Sequence, residues 1–179
     1  KLTSPLGVFG DPCVVASNTG DFYFLHLSDP EGMGWRSDAL LDRIVCQRSK
    51  NGGKSWSRGG GMGLTPPKDQ DKEWAAVSPD GSRIHACWTQ FDKYGSQEPG
   101  DSTVILCSHS DAKGKLWSDP VRVSDQAGDC LDGDNTAEGA VPAVGTQGEV
   151  YVAWALGSWI YFDKSLDGGL TWSGDQVVG

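Results

Sequence analysis

Acids are the residues of this 179-residue chain best placed to do chemistry. Asp11, Asp71 and Glu138 each stand shortly before a short apolar run that ends in a glycine turn. Counted back from Gly20, Gly81 and Gly148, they lie nine, ten and ten residues away. If the three runs are equivalent strands, that spacing brings the acids to matching heights around a common axis. Carboxyl groups held close raise one another's pKa, and a general acid at neutral pH needs a raised pKa. Glu73, two residues beyond Asp71, is a further candidate. The alternative use is structural, with these acids accepting hydrogen bonds from loop N–H groups or tying neighbouring units together.

Other polar groups suggest binding. Trp35 and Arg36 sit in a long insertion, Ser28 to Asp42, which reads as a rim loop contributing to a binding face. Trp88 and Trp154 join Trp35 as candidates for a sugar-stacking platform. The loop from Asp125 to Asn135 carries Asp129, Asp132 and Asp134 close together and could hold Ca²⁺, which prefers six to eight oxygen ligands, although its order is not that of an EF-hand. No other cofactor is implied. The three histidines share no motif, and His26 aligns with Trp154 and, within one residue, with Trp88, which suits a packing position. There is no Cys-x-x-Cys pair for zinc. Cys87 and Cys107 fall on successive strands flanking a hairpin, either as a cross-strand disulfide or as buried thiols.

The elements that must position these residues follow from an internal repeat. Ser49-Lys50-Asn51-Gly52-Gly53-Lys54-Ser55-Trp56 recurs with identical spacing as Ser165-Leu166-Asp167-Gly168-Gly169-Leu170-Thr171-Trp172. A third version, Ser110 to Trp117, keeps Ser, Gly and Trp but has Ala112 at the Asp/Asn position. Asx-Gly supplies a tight hairpin, its side chain accepts N–H bonds inside the turn, and Trp opens the next strand. Around each turn the same four-strand pattern recurs. The first strands are Cys13–Ala16, Trp74–Val77 and Val141–Val144; the second are Phe22–Leu27, Ile84–Phe91 and Val150–Leu156. Third strands lead into the turns from Arg43, Thr103 and Trp159. The fold class is therefore all-β, a propeller of four-stranded blades, with about three blades spanning roughly 9–61, 70–124 and 135–179. The Gly- and Pro-rich stretch Arg58–Pro67 and the segment Ser124–Ala137 mark the blade boundaries.

The Ser-x-Asp/Asn-x-Gly-x-x-Trp turns resemble those of the Asp-box, or bacterial neuraminidase repeat, proteins: the sialidase-like β-propellers. The resemblance implies six blades, of which this chain would be half, completed by further blades of a longer chain or by a partner copy. In that family the boxes are structural turns remote from the catalytic centre. The segment from Asn135 through Glu138 to Tyr151 resembles the sialidase segment in which an Asn-Glu pair precedes an inner strand. There the Glu polarises a Tyr nucleophile, an Asp is acid/base and three Arg grip the substrate carboxylate. This chain departs from that pattern. Asn135 and Glu138 are not adjacent, Ser4-Pro5-Leu6 stands where Arg-Ile-Pro is expected, and Trp154-Ala155-Leu156 occupies the place of a second Arg. Tyr151 lies within a strand and reads as packing.

A formal charge of −9 opposes binding to nucleic acid and is unfavourable for an anionic sugar unless arginines cluster locally. No run of eighteen apolar residues predicts a membrane span, and the N-terminus has no apolar signal core. Two functions remain. One is a sialidase-like glycoside hydrolase, secreted, periplasmic or on the cell surface, acting on a glycan or glycoconjugate at the channel. The other is a non-catalytic propeller that binds carbohydrate or protein.

Overall fold

A computed structural model describes residues 2–179. It contains three four-stranded antiparallel sheets, each built from strands consecutive in sequence. The first sheet comprises β1 (Phe9–Ala16), β2 (Phe22–Leu27), β3 (Ile44–Ser49) and β4 (Gly60–Met62). The second comprises β5 (Asp69–Val77), β6 (Arg83–Phe91), β7 (Thr103–Asp111) and β8 (Val121–Arg122), and the third β9 (Glu138–Val144), β10 (Val150–Leu156), β11 (Trp159–Ser165) and β12 (Gln176–Val177). Among the described residues no helix is long and apolar enough to cross a membrane.

The boxes close the β3–β4, β7–β8 and β11–β12 connections. In the first, Ser49 Oγ accepts from the Gly53 N–H (2.9 Å) and Asn51 Oδ1 from the Ser55 N–H (2.9 Å). The last repeats this with Ser165 and Asp167, whose carboxylate also accepts from the Thr171 hydroxyl (2.6 Å). Those bonds hold Asp167 well below the usual carboxylate range. Positive φ falls on the glycines (67° and 81° at Gly52 and Gly53) and not on the Asx residue, which serves as acceptor. In the degenerate turn Asp111 takes over the acceptor role from the missing Asx, bonding the Lys113 N–H.

Each outer strand begins four residues after its box Trp, later than the sequence suggested, so Trp56, Trp117 and Trp172 precede the strands and do not open them. The stretch Arg58–Pro67 likewise contains β4 and is not wholly a linker. Its close packing explains one glycine: a Cβ on Gly60 would lie 2.3 Å from the Lys115 carbonyl oxygen. The box turn of the second blade thus seats directly on the outer strand of the first.

Two clusters fill the seams between blades. Tyr23, Leu25, Ile44, Ile84, Ala86 and Trp88 belong to the first; Cys87, Ile105, Cys107, Val152 and Trp154 belong to the second. His26, Trp88 and Trp154 occupy one register position, since Leu25, Cys87 and Ala153 before them pair with Cys13, Trp74 and Val141. All three are buried, so Trp88 and Trp154 are packing residues and form no sugar platform. Trp88 donates its indole N–H to Gln70 Oε1 at 2.7 Å. Cys87 and Cys107 do pair across β6–β7, as free thiols serving as small apolar residues. Val14 on the first blade and Val141 and Ile160 on the third remain exposed on the end sheets.

His85 is buried against His109, ring centroids 5.9 Å apart. Burial, then His109 and Arg83, push it down to about 4. Below the ordinary histidine pKa the unfolded chain takes up a proton that the folded one refuses. Stability at this site therefore falls as pH drops from about 6.5 to about 4, by about 3 kcal/mol in full. Replacing His85 with Phe should flatten that part of the unfolding free energy against pH; an unchanged slope would remove His85 as its cause.

Candidate functional site

The inner strands β1, β5 and β9 begin earlier than the apolar runs alone suggest, and the extra residues carry the acids. Each strand has a break in its register at the same place: between Phe9 and Cys13, between Asp71 and Trp74, and opposite Ala153–Ala155. The break is a bulge with one left-handed residue, Asp11 (φ 43°), Lys72 (φ 53°) or Gly139 (φ 72°). A bulge re-aims neighbouring side chains and ends regular pairing, and is often found beside active sites. Asp71 and Glu138 are therefore equivalent positions, whereas Asp11 stands one residue later, where Gly10 would be their counterpart. This accounts for the nine-residue spacing against ten.

The bulges nonetheless gather the acids. Asp71 is buried, with the Asp11 carboxylate close to it. Burial, partly opposed by the Lys72 N–H that donates to it at 2.8 Å, and then the Asp11 charge push Asp71 up to about 7. Glu138 lies close to Asp132, and burial followed by the Asp132 charge raises it; its Oε2 has no hydrogen-bond partner among the described residues. Tyr94 donates its hydroxyl to Asp132 at 2.6 Å, which raises the phenol. Lys72 lies among these groups, 4.0 Å from Asp11. Against burial, the charges of Asp11, Asp71, Asp132 and Glu138 raise it.

Glu73 points into the seam between the first two blades. It is 3% exposed, and neither carboxyl oxygen has a hydrogen-bond partner among the described residues. Burial, then the Asp11 and Asp71 charges, push it up to about 9. Such a group is neutral at physiological pH. It belongs beneath the cluster and not, as the sequence suggested, to a solvent-facing binding surface.

Trp35 is 68% exposed on a short 3₁₀ turn, Gly34–Arg36, within the rim insertion. Its ring packs edge-on against Phe9 (6.1 Å) and obliquely against Tyr94 (5.5 Å). Asp29 holds the turn by accepting from the Met33 and Gly34 N–H groups, and Leu41 ties the insertion to β5 through its carbonyl and the Gln70 N–H (2.7 Å). Arg36 is exposed beside Trp35 and enters no ion pair among the described residues. A groove of about 670 Å³ runs past Trp35 and Tyr94 and is lined by Asp38, Asp42, Asp69 and Asp92; of its lining, Tyr94 is the residue that hydrogen-bonds the acidic cluster, through Asp132.

The aspartates of the suggested calcium loop are used separately. Asp129 Oδ1 accepts from the Leu131 N–H and the Thr136 hydroxyl, and Asp132 turns to Tyr94 and Glu138. Asp134 offers its backbone carbonyl to the Gly157 N–H. Among the described residues no group of three His, Cys, Asp or Glu side chains has the geometry to hold a metal ion. Tyr151 stacks on Phe162, centroids 5.9 Å apart, as a packing residue. Sequence reasoning missed Tyr94, Lys72 and the position of Asp132. Only Asp132 carried a signal, as one of several loop acids.

No protein-family model and no curated protein matches the chain in sequence. Solved structures do. A protein of unknown function from Dyadobacter fermentans is 20% identical over 94% of this chain and 50% of its own, with a TM-score of 0.66. The GH93 α-L-arabinofuranosidase of Fusarium graminearum is 14% identical over 97% and 48%, with the same TM-score. A variant of the NanB sialidase from Streptococcus pneumoniae is 13% identical over 98% and 40%, at a TM-score of 0.62. The chain spans about half the length of the structures it matches, or less, and at these identities the likeness shows the fold.

Proposed function

Taking three blades of a sialidase-like six-bladed propeller as the premise, we propose that the acidic cluster at the inner-strand ends is a glycan-cleaving site of glycoside-hydrolase type. The observation that carries this reading is Asp71: a buried carboxyl close to Asp11, raised towards neutrality, near Tyr94, on whose ring the exposed Trp35 packs. A carboxyl with a pKa of about 7 is still largely protonated at slightly acid pH and can donate to a leaving glycosidic oxygen. Glu138, whose carboxyl is also raised and lies close to the Asp132 that Tyr94 hydrogen-bonds, is proposed as the second carboxylate, acting as base or nucleophile on the sugar or its water. Asp11 tunes Asp71. Trp35 is the stacking platform and Arg36 a hydrogen-bond donor at its rim.

Carbohydrate-active proteins share this fold, which supports a sugar substrate. The named carboxylates of the cluster, with Lys72 as the cation among them and no arginine, favour a neutral sugar over sialic acid. Further blades, from a longer chain or a partner copy, would cover the exposed end sheets and complete the channel. A secreted, periplasmic or cell-surface location would suit a glycan substrate.

The test is release of reducing sugar from a panel of neutral and acidic oligosaccharides by the intact protein. Glu138→Gln should abolish release while leaving the melting curve unchanged. Full turnover in that variant would remove Glu138 from the chemistry. Glycan binding with no product from wild type would instead favour the non-catalytic propeller.

A further inference from the structure

A second polar surface lies at the opposite ends of the strands. In the first blade Phe9 pairs with Leu27 near the acids, whereas Ala16 pairs with Phe22 and Phe22 with box residue Ser49. The boxes therefore stand about 17 Å along the strands from the acidic cluster, the five residue steps from Leu27 to Phe22 at roughly 3.3 Å each. Between the first two boxes runs a groove of about 550 Å³ lined by Arg48, Lys50, Arg58, Lys113, Lys115 and Trp56, and by no carboxylate. Those five cations are a third of the chain's 15 lysines and arginines, concentrated in a protein of formal charge −9.

Most of that charge is not neutralised nearby. Arg48 is committed to Asp21 at 2.5 Å and Lys113 loosely to Asp111 at 3.9 Å. Lys50, Arg58 and Lys115 have no ion pair among the described residues. Gly60 packs closely against the Lys115 backbone, which seats the second box turn on the first blade beside the groove. Trp56 has its indole N–H tied to the Gly53 carbonyl (3.1 Å) and its ring edge-on to Phe24 (5.9 Å), so the half-buried indole is held at the groove wall.

We propose that this groove binds an acidic glycan through sulfate or carboxylate groups, separately from the channel site. Cations beside an indole ring match a sugar ring that carries anionic substituents, since the ring stacks while the lysines meet the charge. A groove of this volume takes a few sugar residues, whereas a long uniform polyanion such as duplex DNA would extend over the acidic remainder of the surface. The site makes the propeller two-sided, with one face reading anionic sugar groups and the other taking the glycan to be cleaved. It does not depend on the channel being catalytic.

Retention of the intact protein on immobilised heparin, chondroitin sulfate, dextran and duplex DNA at low salt tests this assignment. Wild type should bind heparin and chondroitin sulfate, elute with salt, and pass through dextran. Lys50→Glu/Lys113→Glu/Lys115→Glu should weaken heparin binding by about tenfold or more, as reversal of three exposed charges implies. The same variant should keep the wild-type melting temperature and turnover. Passage of wild type through heparin, equal retention of the variant, or duplex DNA binding as tightly as heparin would each overturn the assignment.

Discussion

Asp71→Asn is expected to lower glycan hydrolysis by about a hundred- to ten-thousand-fold, the usual contribution of a positioned general acid. Asn keeps the shape and the bond from the Lys72 N–H but has no proton to give. The wild-type rate should fall as pH rises through about 7, because the Asp71 proton is lost over that range. In Asp71→Asn the residual rate should lack that limb. Asp11→Asn is a graded control: it removes the charge that helps hold Asp71 up, so the limb should move to lower pH while turnover persists. A full-strength rate with an unchanged limb in Asp71→Asn would assign the limb to another group.

The second large effect is on stability. Glu73→Gln is expected to make the protein more stable at pH 7, by about 3 kcal/mol if the full shift applies. The sign follows from protonation. Below about pH 4.5 the folded and unfolded states both hold the proton, and Glu73 carries no penalty. As pH rises towards about 9 the unfolded chain releases it and the folded one does not, so the penalty grows across that window. The other blades have Pro12 and Ala140 at this register position, so packing of a blade does not require an acid there. Retaining a buried acid at such a cost fits a functional site better than a structural one. Denaturant unfolding from pH 5 to 9 measures the effect; equal slopes in wild type and variant would show that Glu73 ionises freely.

Much of this architecture can be read from the residues. The boxes are local, and their Ser, Asx and Gly side chains and backbones determine the turn whatever surrounds it, so their number and spacing reveal the blades. Second-strand ends at Phe22–Leu27 and Val150–Leu156 are legible because the apolar runs stop at turn residues. The inner strands are less legible at their starts. Gly10-Asp11-Pro12 and Asp71-Lys72-Glu73 look like loop in composition, and only pairing with β2 and β6 makes them strand with a bulge. Trp88 and Trp154 are ambiguous in sequence for a related reason: an indole suits a sugar or a seam equally well, and burial between blades is a tertiary fact. Tyr94 and Asp132 meet across 38 residues of chain, a contact that no local pattern announces.

In the proposed site a sugar is held on Trp35 and Tyr94 with its glycosidic oxygen at Asp71. The most direct measurement is a crystal structure of the intact Asp71→Asn protein soaked with an oligosaccharide that the wild type cleaves. A sugar ring stacked on Trp35, a glycosidic oxygen within hydrogen-bond distance of residue 71 and Glu138 on the other side of the anomeric carbon are expected. A sugar bound elsewhere, with its glycosidic bond out of reach of both carboxyl positions, would contradict it.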